Sequence, residues 1–254
     1  MLEKTESIVS LEDFSKIKSK LDLLLSPNGF ECHPFKVGWY NDHVAESFHL
    51  EYQPDTLAFV IISIPSMFEK TFIPYLLEAD CLRPQGDPLD QCMVKHFSGI
   101  KEEFPSYDIT TIHDFELTAN RRPRILVQTA GHVSGAVRYY QRKDVKSDPW
   151  DEKKKIFGVC LHPRYGGWFA LRGVLIFSGV TCPDLPRQPS SDILKTDDEI
   201  IELLRRYNEH WEDWSFRDII PVEERYSKNQ MDYFSTKPSE RMDIIDSLKN
   251  LAKN

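Results

Sequence analysis

Ile156-Phe157-Gly158-Val159-Cys160-Leu161-His162-Pro163-Arg164-Tyr165-Gly166-Gly167-Trp168-Phe169-Ala170-Leu171-Arg172-Gly173-Val174-Leu175-Ile176 carries the fold class. Two apolar, strand-like runs flank a Pro-Arg-Tyr-Gly-Gly segment, a pattern that predicts a β-hairpin and hence an antiparallel component. Upstream, Leu57 to Ile64 is apolar on both faces and rich in β-branched residues, which predicts a central buried strand. Further strands are expected at 30–35, 108–117 and 124–128. Leu11, Phe14, Ile17, Leu21 and Leu24 recur at helical spacing, so a helix is expected over 11–25. Ser10 and Asp13 would cap it, and Pro27-Asn28-Gly29 would stop it. Helices are also predicted from Pro65 to about Ala79 and after Pro88. Another should run from the Thr196/Glu199 capping box to about Trp211, with two more starting at Pro221 and Pro238. Thr181 to Ser191, with Pro183, Pro186 and Pro189, reads as an extended connection. The expectation is an α+β fold with helices packed on the sheet, a single domain over 1–254, and flexible ends at 1–10 and 246–254.

Composition narrows the function classes. The chain has 254 residues, a formal net charge of −8 and a pI near 5.5. An acidic chain is a poor polyanion binder, so nucleic acid is not expected. No apolar run approaches the roughly 20 residues of a membrane helix. The start, MLEKTESIVSLEDF, has neither the basic-then-apolar layout of a secretory signal nor the acid-poor character of a mitochondrial presequence. Cys32, Cys81, Cys92, Cys160 and Cys182 are scattered and form no CxxC pair, which argues against a zinc ribbon and for a reducing compartment. A cytoplasmic protein is the expectation.

Four constellations could carry chemistry. Gly131-His132-Val133-Ser134-Gly135 holds an HxxG tetrapeptide, found within the DxHxxG signature of proteins that ligate cobalt through histidine. Here Ala130 stands where the Asp would be, and a histidine packed at the end of a strand explains the same residues. Arg121-Arg122-Pro123-Arg124 and Arg138-Tyr139-Tyr140-Gln141-Arg142-Lys143 interleave cations and rings, suiting a planar anion or an ordinary surface. Gly166-Gly167 would serve close backbone approach to a ligand, or a turn. Arg172 sits in an apolar strand, with Arg217 and Arg241 downstream. A buried arginine needs an anion, supplied by Asp213 or Asp218 or by a carboxylate-bearing ligand. Walker, GxSxG and HExxH motifs are absent.

Read together, the segments resemble one family. Asn120 to Ala136, Tyr139 to Arg142, Asp148-Pro149-Trp150, Gly158-Val159-Cys160, His162 to Ala170, His210-Trp211 and Asp213-Trp214 are similar to the cobalamin-processing proteins of methylmalonic aciduria and homocystinuria type C, the cblC family. So are Pro34-Phe35, Trp39-Tyr40-Asn41, Glu224 to Ser227 and Tyr233 to Thr236. The resemblance implies a flavin nitroreductase-like antiparallel sheet with packed helices and a large ligand cavity. It implies cobalamin held base-off, with no protein ligand on cobalt. Asp114, the strand Ile125-Leu126-Val127-Gln128, His132, Tyr139-Tyr140-Gln141, Cys160 and Leu171 would contact the corrinoid, and Arg172, Arg217 and Arg241 would bind glutathione. The implied activity is removal of the upper axial ligand, by glutathione-dependent dealkylation and by flavin-dependent decyanation. FMN or FAD, with NADP on the reductant side, would be the cofactors. A downstream cobalamin-trafficking protein and methionine synthase are the implied partners, with the chain a monomer or a ligand-induced dimer. Two other classes fit less of the pattern, a non-catalytic cobalamin carrier and a nitroreductase-type flavin reductase. The sequence departs from the family at Arg138, where an aromatic is usual, and at Val127 and Gly131, where alanines are.

Overall fold

The structure, a computed structural model, describes residues 7–78 and 86–251, Leu251 by its backbone alone. In chain order it comprises β1 (Ser7–Ile8), α1 (Leu11–Leu25), β2 (Phe30–Lys36), α2 (Val37–Asn41), β3 (Thr56–Ser63), a π turn (Phe68–Phe72) running into α3 (Ile73–Glu78), and α4 (Pro88–Glu103). There follow β4 (Asp108–His113), α5 (Val127–Val133), β5 (Arg138–Tyr140), β6 (Val159–Leu161), β7 (Ala170–Thr181), α6 (Asp197–Glu209), α7 (Lys228–Ser235) and α8 (Arg241–Leu251). No described helix is long and apolar enough to cross a membrane.

The main sheet runs β2, β3, β7, with β4 and β1 both beyond β7. Its pairings are antiparallel except β1 with β7. Every residue of β3 is buried, because both faces of the sheet are covered. Leu57, Phe59 and Ile61 join Leu175 and Phe177 in a core against α1, α3 and α4. Ala58, Val60 and Ile62 turn the other way and pack with Val174 and Ile176 against α2 and α5. A third core joins β5 and β6 to α6 through Tyr140, Leu161, Leu203 and Leu204.

Local signals held where caps and stops were explicit. Ser10 accepts from the Asp13 N–H, Thr196 and Glu199 cap α6 reciprocally, and Gly29 ends the first helical segment at φ 78°. Other expectations failed for tertiary reasons. The 156–176 stretch is not a hairpin: β6 pairs with β5 in its own two-stranded sheet, β7 joins the main sheet, and only a His162–Gly166 bridge links the two runs. Gly166 and Gly167 lie against the Arg217 backbone, where a Cβ would fall 2.3 and 2.8 Å from its O and Cα. The glycines therefore serve a close passage beneath a neighbouring turn, and the chain's reversal there stops at the one bridge without continuing into a paired hairpin.

Residues 124–128 are not a strand: 124–126 are irregular and Val127 opens α5, with Leu126 N–H donating to the Tyr40 hydroxyl at 3.0 Å. The 108–117 strand stops at His113. Pro221 starts no helix, since α7 begins at Lys228 behind its Ser227 cap. The helix expected from Pro65 begins after a turn, and Ala79 lies outside the described residues. The ends set apart as flexible overlap secondary structure: Ser7 and Ile8 pair with β7, and Leu248 of α8 is buried in the first core.

Candidate functional site

One irregularity in β7 organises the site. Ile61 pairs with Gly173 and Ile62 with Leu171, so Arg172 has no partner on β3 and forms a β-bulge. Gly173 permits it at φ +133°, where a Cβ would lie 2.3 Å from the Ile112 oxygen. A bulge re-aims the residue it extrudes. Arg172 is only 7% exposed, yet it lines a cavity of about 760 Å³. Its Nε donates to Ser63 Oγ at 2.9 Å. Among the described residues no carboxylate lies within 4.0 Å of it, so neither Asp213 nor Asp218 is its partner. Asp218 instead accepts from Trp168 Nε1 and Arg225 Nε, each at 2.8 Å, and Asp213 from the Ser215 N–H at 2.8 Å.

Arg217 lines the same cavity from the turn Ser215–Asp218. Its guanidinium lies 5.0–5.6 Å from the rings of Trp168, Trp214, Phe216 and Tyr226. It donates to the Gly167 carbonyl, while its buried Nε has no partner. Trp214 holds the left-handed conformation at φ 60°, unusual for a bulky side chain, with its ring in the cavity wall. Lys154, Lys155, Tyr207, Asn208 and Trp211 complete a lining of cations and rings with no acid. Such a wall suits an anionic ligand with planar or apolar parts.

Arg241 is placed differently from Arg172 and Arg217. Its Nη1 donates to Asp87 Oδ2 at 2.6 Å, its Nε donates to the Thr236 carbonyl at 3.2 Å, and it stacks on Tyr233. It does not line the cavity. Asp90, in the first turn of α4, lies within electrostatic reach of both Arg241 and Arg172. Burial, then the charges of Asp87 and Asp114, push its carboxyl up to about 6, against the two arginines. A raised folded pKa means that ionising Asp90 costs stability as pH climbs from about 4, where the unfolded chain's Asp ionises, to about 6. Asp90→Asn should therefore raise Tm relative to wild type at pH 7.5 and give no such gain at pH 4. Melts showing the same difference at both pH values would reject this account.

A second cavity, about 1040 Å³, shares Lys155 and Phe157 with the first. Asp114, Ile125, Leu126, Val127, Gln128, His132, Tyr139 and Gln141 all line it. One Oδ of Asp114 is buried without a partner, and burial holds its carboxyl up despite Arg172. His132 sits on α5, not at a strand end. Burial and the charges of Arg138 and His43 lower its pKa, and Arg138 Nη1 lies 3.5 Å from its Nε2. Arg138, the departure noted above, is tied to Asp192 at 3.0 Å and Asp144 at 3.5 Å.

Tyr140, Cys160 and Leu171 do not line this cavity. Strand alternation turns Tyr140 away from Tyr139 into the third core, where its hydroxyl accepts the Leu194 N–H at 2.7 Å. Cys160 is packed behind Gln128, its Sγ 4.0 Å from that carbonyl, and burial raises its thiol pKa, which disfavours the thiolate that a nucleophile needs. Leu171 packs against Gly131, where a Cβ would lie 2.9 Å from its Cδ2.

Glu31, His33 and His162 bring ligand-type atoms within 4.8 Å of one another. His162 Nδ1, however, accepts the N–H groups of Arg164 and Tyr165 at 3.1 and 3.3 Å. Its proton is thereby fixed on Nε2, facing Glu31 Oε2 at 3.2 Å, and no lone pair remains there for a cation. The group is a clasp for the 162–167 turn. Burial alone would raise Glu31, but hydrogen bonds from His162 and His33 overcome it and hold the carboxyl far below its usual range.

Reading the sequence missed Ser63, His43, Tyr207, Asn208 and the rim pair Lys155 and Phe157. Gly173 inside a strand pattern was an available signal for the bulge.

A model of the methylmalonic aciduria and homocystinuria type C family matches residues 29–245. A Gallus gallus protein called cyanocobalamin reductase / alkylcobalamin dealkylase is 51% identical over 230 residues, 91% of this chain and 96% of its own length. A Homo sapiens protein of the same name is 46% identical over 231 residues, 91% and 81% of the two chains. In three dimensions the chain is similar to the crystal structure of a C. elegans B12-trafficking protein CblC, with a TM-score of 0.86, 32% identity, and coverage of 94% and 97%. The matched region contains both cavities and the bulge that aims Arg172, and the chain belongs to the methylmalonic aciduria and homocystinuria type C family.

Proposed function

We propose that this chain is a cobalamin-processing enzyme, a cyanocobalamin reductase and alkylcobalamin dealkylase that removes the upper axial ligand. The observation that carries the mechanism is a pair of adjoining cavities, the larger lined by eight of the eleven expected corrinoid contacts and the smaller by two arginines without carboxylate partners. The corrinoid is the substrate of the larger cavity, on the nitroreductase-like scaffold that the resemblance implies. Glutathione enters the smaller one, where Arg172 and Arg217 take its carboxylates and their field favours the thiolate. The thiolate sulfur attacks the alkyl carbon. A C–S bond forms, the Co–C bond breaks with its electron pair left on cobalt, and the thiol proton passes to solvent, giving a thioether and Co(I). Arg241 acts at a distance, by holding Asp87.

For cyanocobalamin the chain holds the corrinoid and excludes competing ligands. Trp211, Trp214 and Tyr207 offer faces for stacking and Lys154 and Lys155 offer charge for a phosphate, so the residues fit a flavin. FMN or FAD would supply the electron that takes Co(III) to Co(II), on which cyanide leaves.

His132, faced by Arg138, is a cavity wall and no cobalt ligand in this reading. The deciding experiment is an anaerobic visible spectrum of methylcobalamin with protein, with and without glutathione. Protein alone should shift the spectrum to the base-off form, and glutathione should convert it to reduced cobalamin. His132→Ala should weaken binding but stay base-off. A shift without turnover would leave a carrier, and no shift would reject the proposal.

A further inference from the structure

Only two described residues line both cavities, Lys155 and Phe157. We propose that Phe157 determines which upper ligands can be transferred, by forming the wall against which the departing group must fit. The inference rests on the functional reading above: the alkyl group bridges a cobalt in one cavity and a sulfur in the other, so it passes the segment they share.

Phe157 is 56% exposed, and a single exposed phenylalanine is ordinary on a protein surface. What distinguishes this one is how rigidly it is presented. Asn208 of α6 takes the Phe157 N–H on its Oδ1 at 2.8 Å and donates from Nδ2 to the Phe157 carbonyl at 2.9 Å. The same Nδ2 also donates to Leu204 O at 2.8 Å, which fixes the amide's orientation. Arg142 staples the preceding loop through Asp148 Oδ2 and the carbonyls of Trp150, Asp151 and Lys154, at 2.6–3.1 Å. Gly158, next in the chain, has no room for a Cβ, which would lie 2.6 Å from the Tyr139 ring and 2.7 Å from the Tyr140 oxygen.

The backbone is thus pinned from both sides while the ring stands out of every core cluster, with Lys155 Nζ 4.5 Å from its centroid. A ring carried on a pinned backbone narrows the passage and discriminates by size, because a bulkier group has to displace it. Methyl and cyanide pass it, and a nucleoside-sized alkyl group meets the ring. Lys155 adds positive charge to the same wall.

The test compares wild type, Phe157→Ala and Phe157→Leu, anaerobically, on methylcobalamin and adenosylcobalamin with glutathione and on cyanocobalamin with reduced FMN. Phe157→Ala should raise the ratio of kcat/KM for adenosyl over methyl by about tenfold or more, and Phe157→Leu by less. A substitution that moves decyanation and both dealkylations by the same factor overturns the proposal, since cyanide and methyl are small. Thermal melts should coincide, because the ring packs in no core. An unchanged ratio in a folded variant that still turns over methylcobalamin overturns this proposal alone. Absence of thiol-dependent turnover in the wild type overturns the functional reading and this proposal with it.

Discussion

Arg172→Gln is expected to raise the glutathione concentration required for dealkylation by about 10–100-fold, the worth of one charge-assisted pair of about 1.5–3 kcal/mol. Arg172 is nearly buried and has one described side-chain hydrogen bond, to Ser63 Oγ. Its charge is balanced through space by Asp90 and Asp114, whose carboxyls are both held up by burial. A buried cation with no direct anion is costly unless a ligand completes it. Glutamine keeps a donor for Ser63 and removes the charge. On the proposed function, which puts cobalamin in the other cavity, its binding should change much less, and flavin-driven decyanation should survive because it needs no thiol. All three are to be measured on one folded preparation. Equal damage to all three would mean that Arg172 holds the bulge and the sheet, with no role in binding the thiol substrate.

Gly166→Ala should destabilise the fold by roughly 2–4 kcal/mol, from left-handed strain and overpacking together. Gly166 stands at φ +55°, and an added Cβ would lie 2.3 Å from the Arg217 oxygen and 2.8 Å from Val222. Relieving the clash is costly, since the clasp of Glu31, His162 and Arg164 holds one side of the turn and the Arg217 backbone is hydrogen-bonded on the other. At this chain length the loss is a drop in Tm of about 5–15 °C. The same clash displaces Arg217, so the requirement for glutathione should rise as well. Gly99→Ala is the control: it lies in α4 with no atom within 4 Å of its Cβ position, and alanine there should be neutral or slightly stabilising. Similar melts for the two variants would refute the packing argument.

These expectations rest on features of different legibility. The helix over Leu11–Leu25, the capping box at Thr196 and the buried strand at Leu57 were readable because their causes are local: a side chain three residues from the N–H it caps, or an unbroken apolar run. The failed hairpin shows where locality ends. Two strand-like runs around Gly166-Gly167 satisfy the hairpin pattern, but what the glycines accommodate is the Arg217 backbone, fifty residues further along the chain. Residues 124–128 failed in the same way, since Tyr40 receives the Leu126 N–H and Val127 turns into a helix.

The sequence by itself determined the family, through long ordered strings that chance does not assemble. It determined the α+β class and eight of the residues that line the larger cavity. It could not separate Tyr139 from Tyr140 or Arg217 from Arg241, because residue type does not say which way a side chain points or who already holds it. Tertiary structure decided both: strand alternation buries Tyr140 against α6, and Asp87 binds Arg241. It also decided the adjacency of the two cavities across Phe157 and the aim of Arg172. That aim comes from a one-residue slip between β3 and β7, and register is a property of paired strands, written in neither one alone.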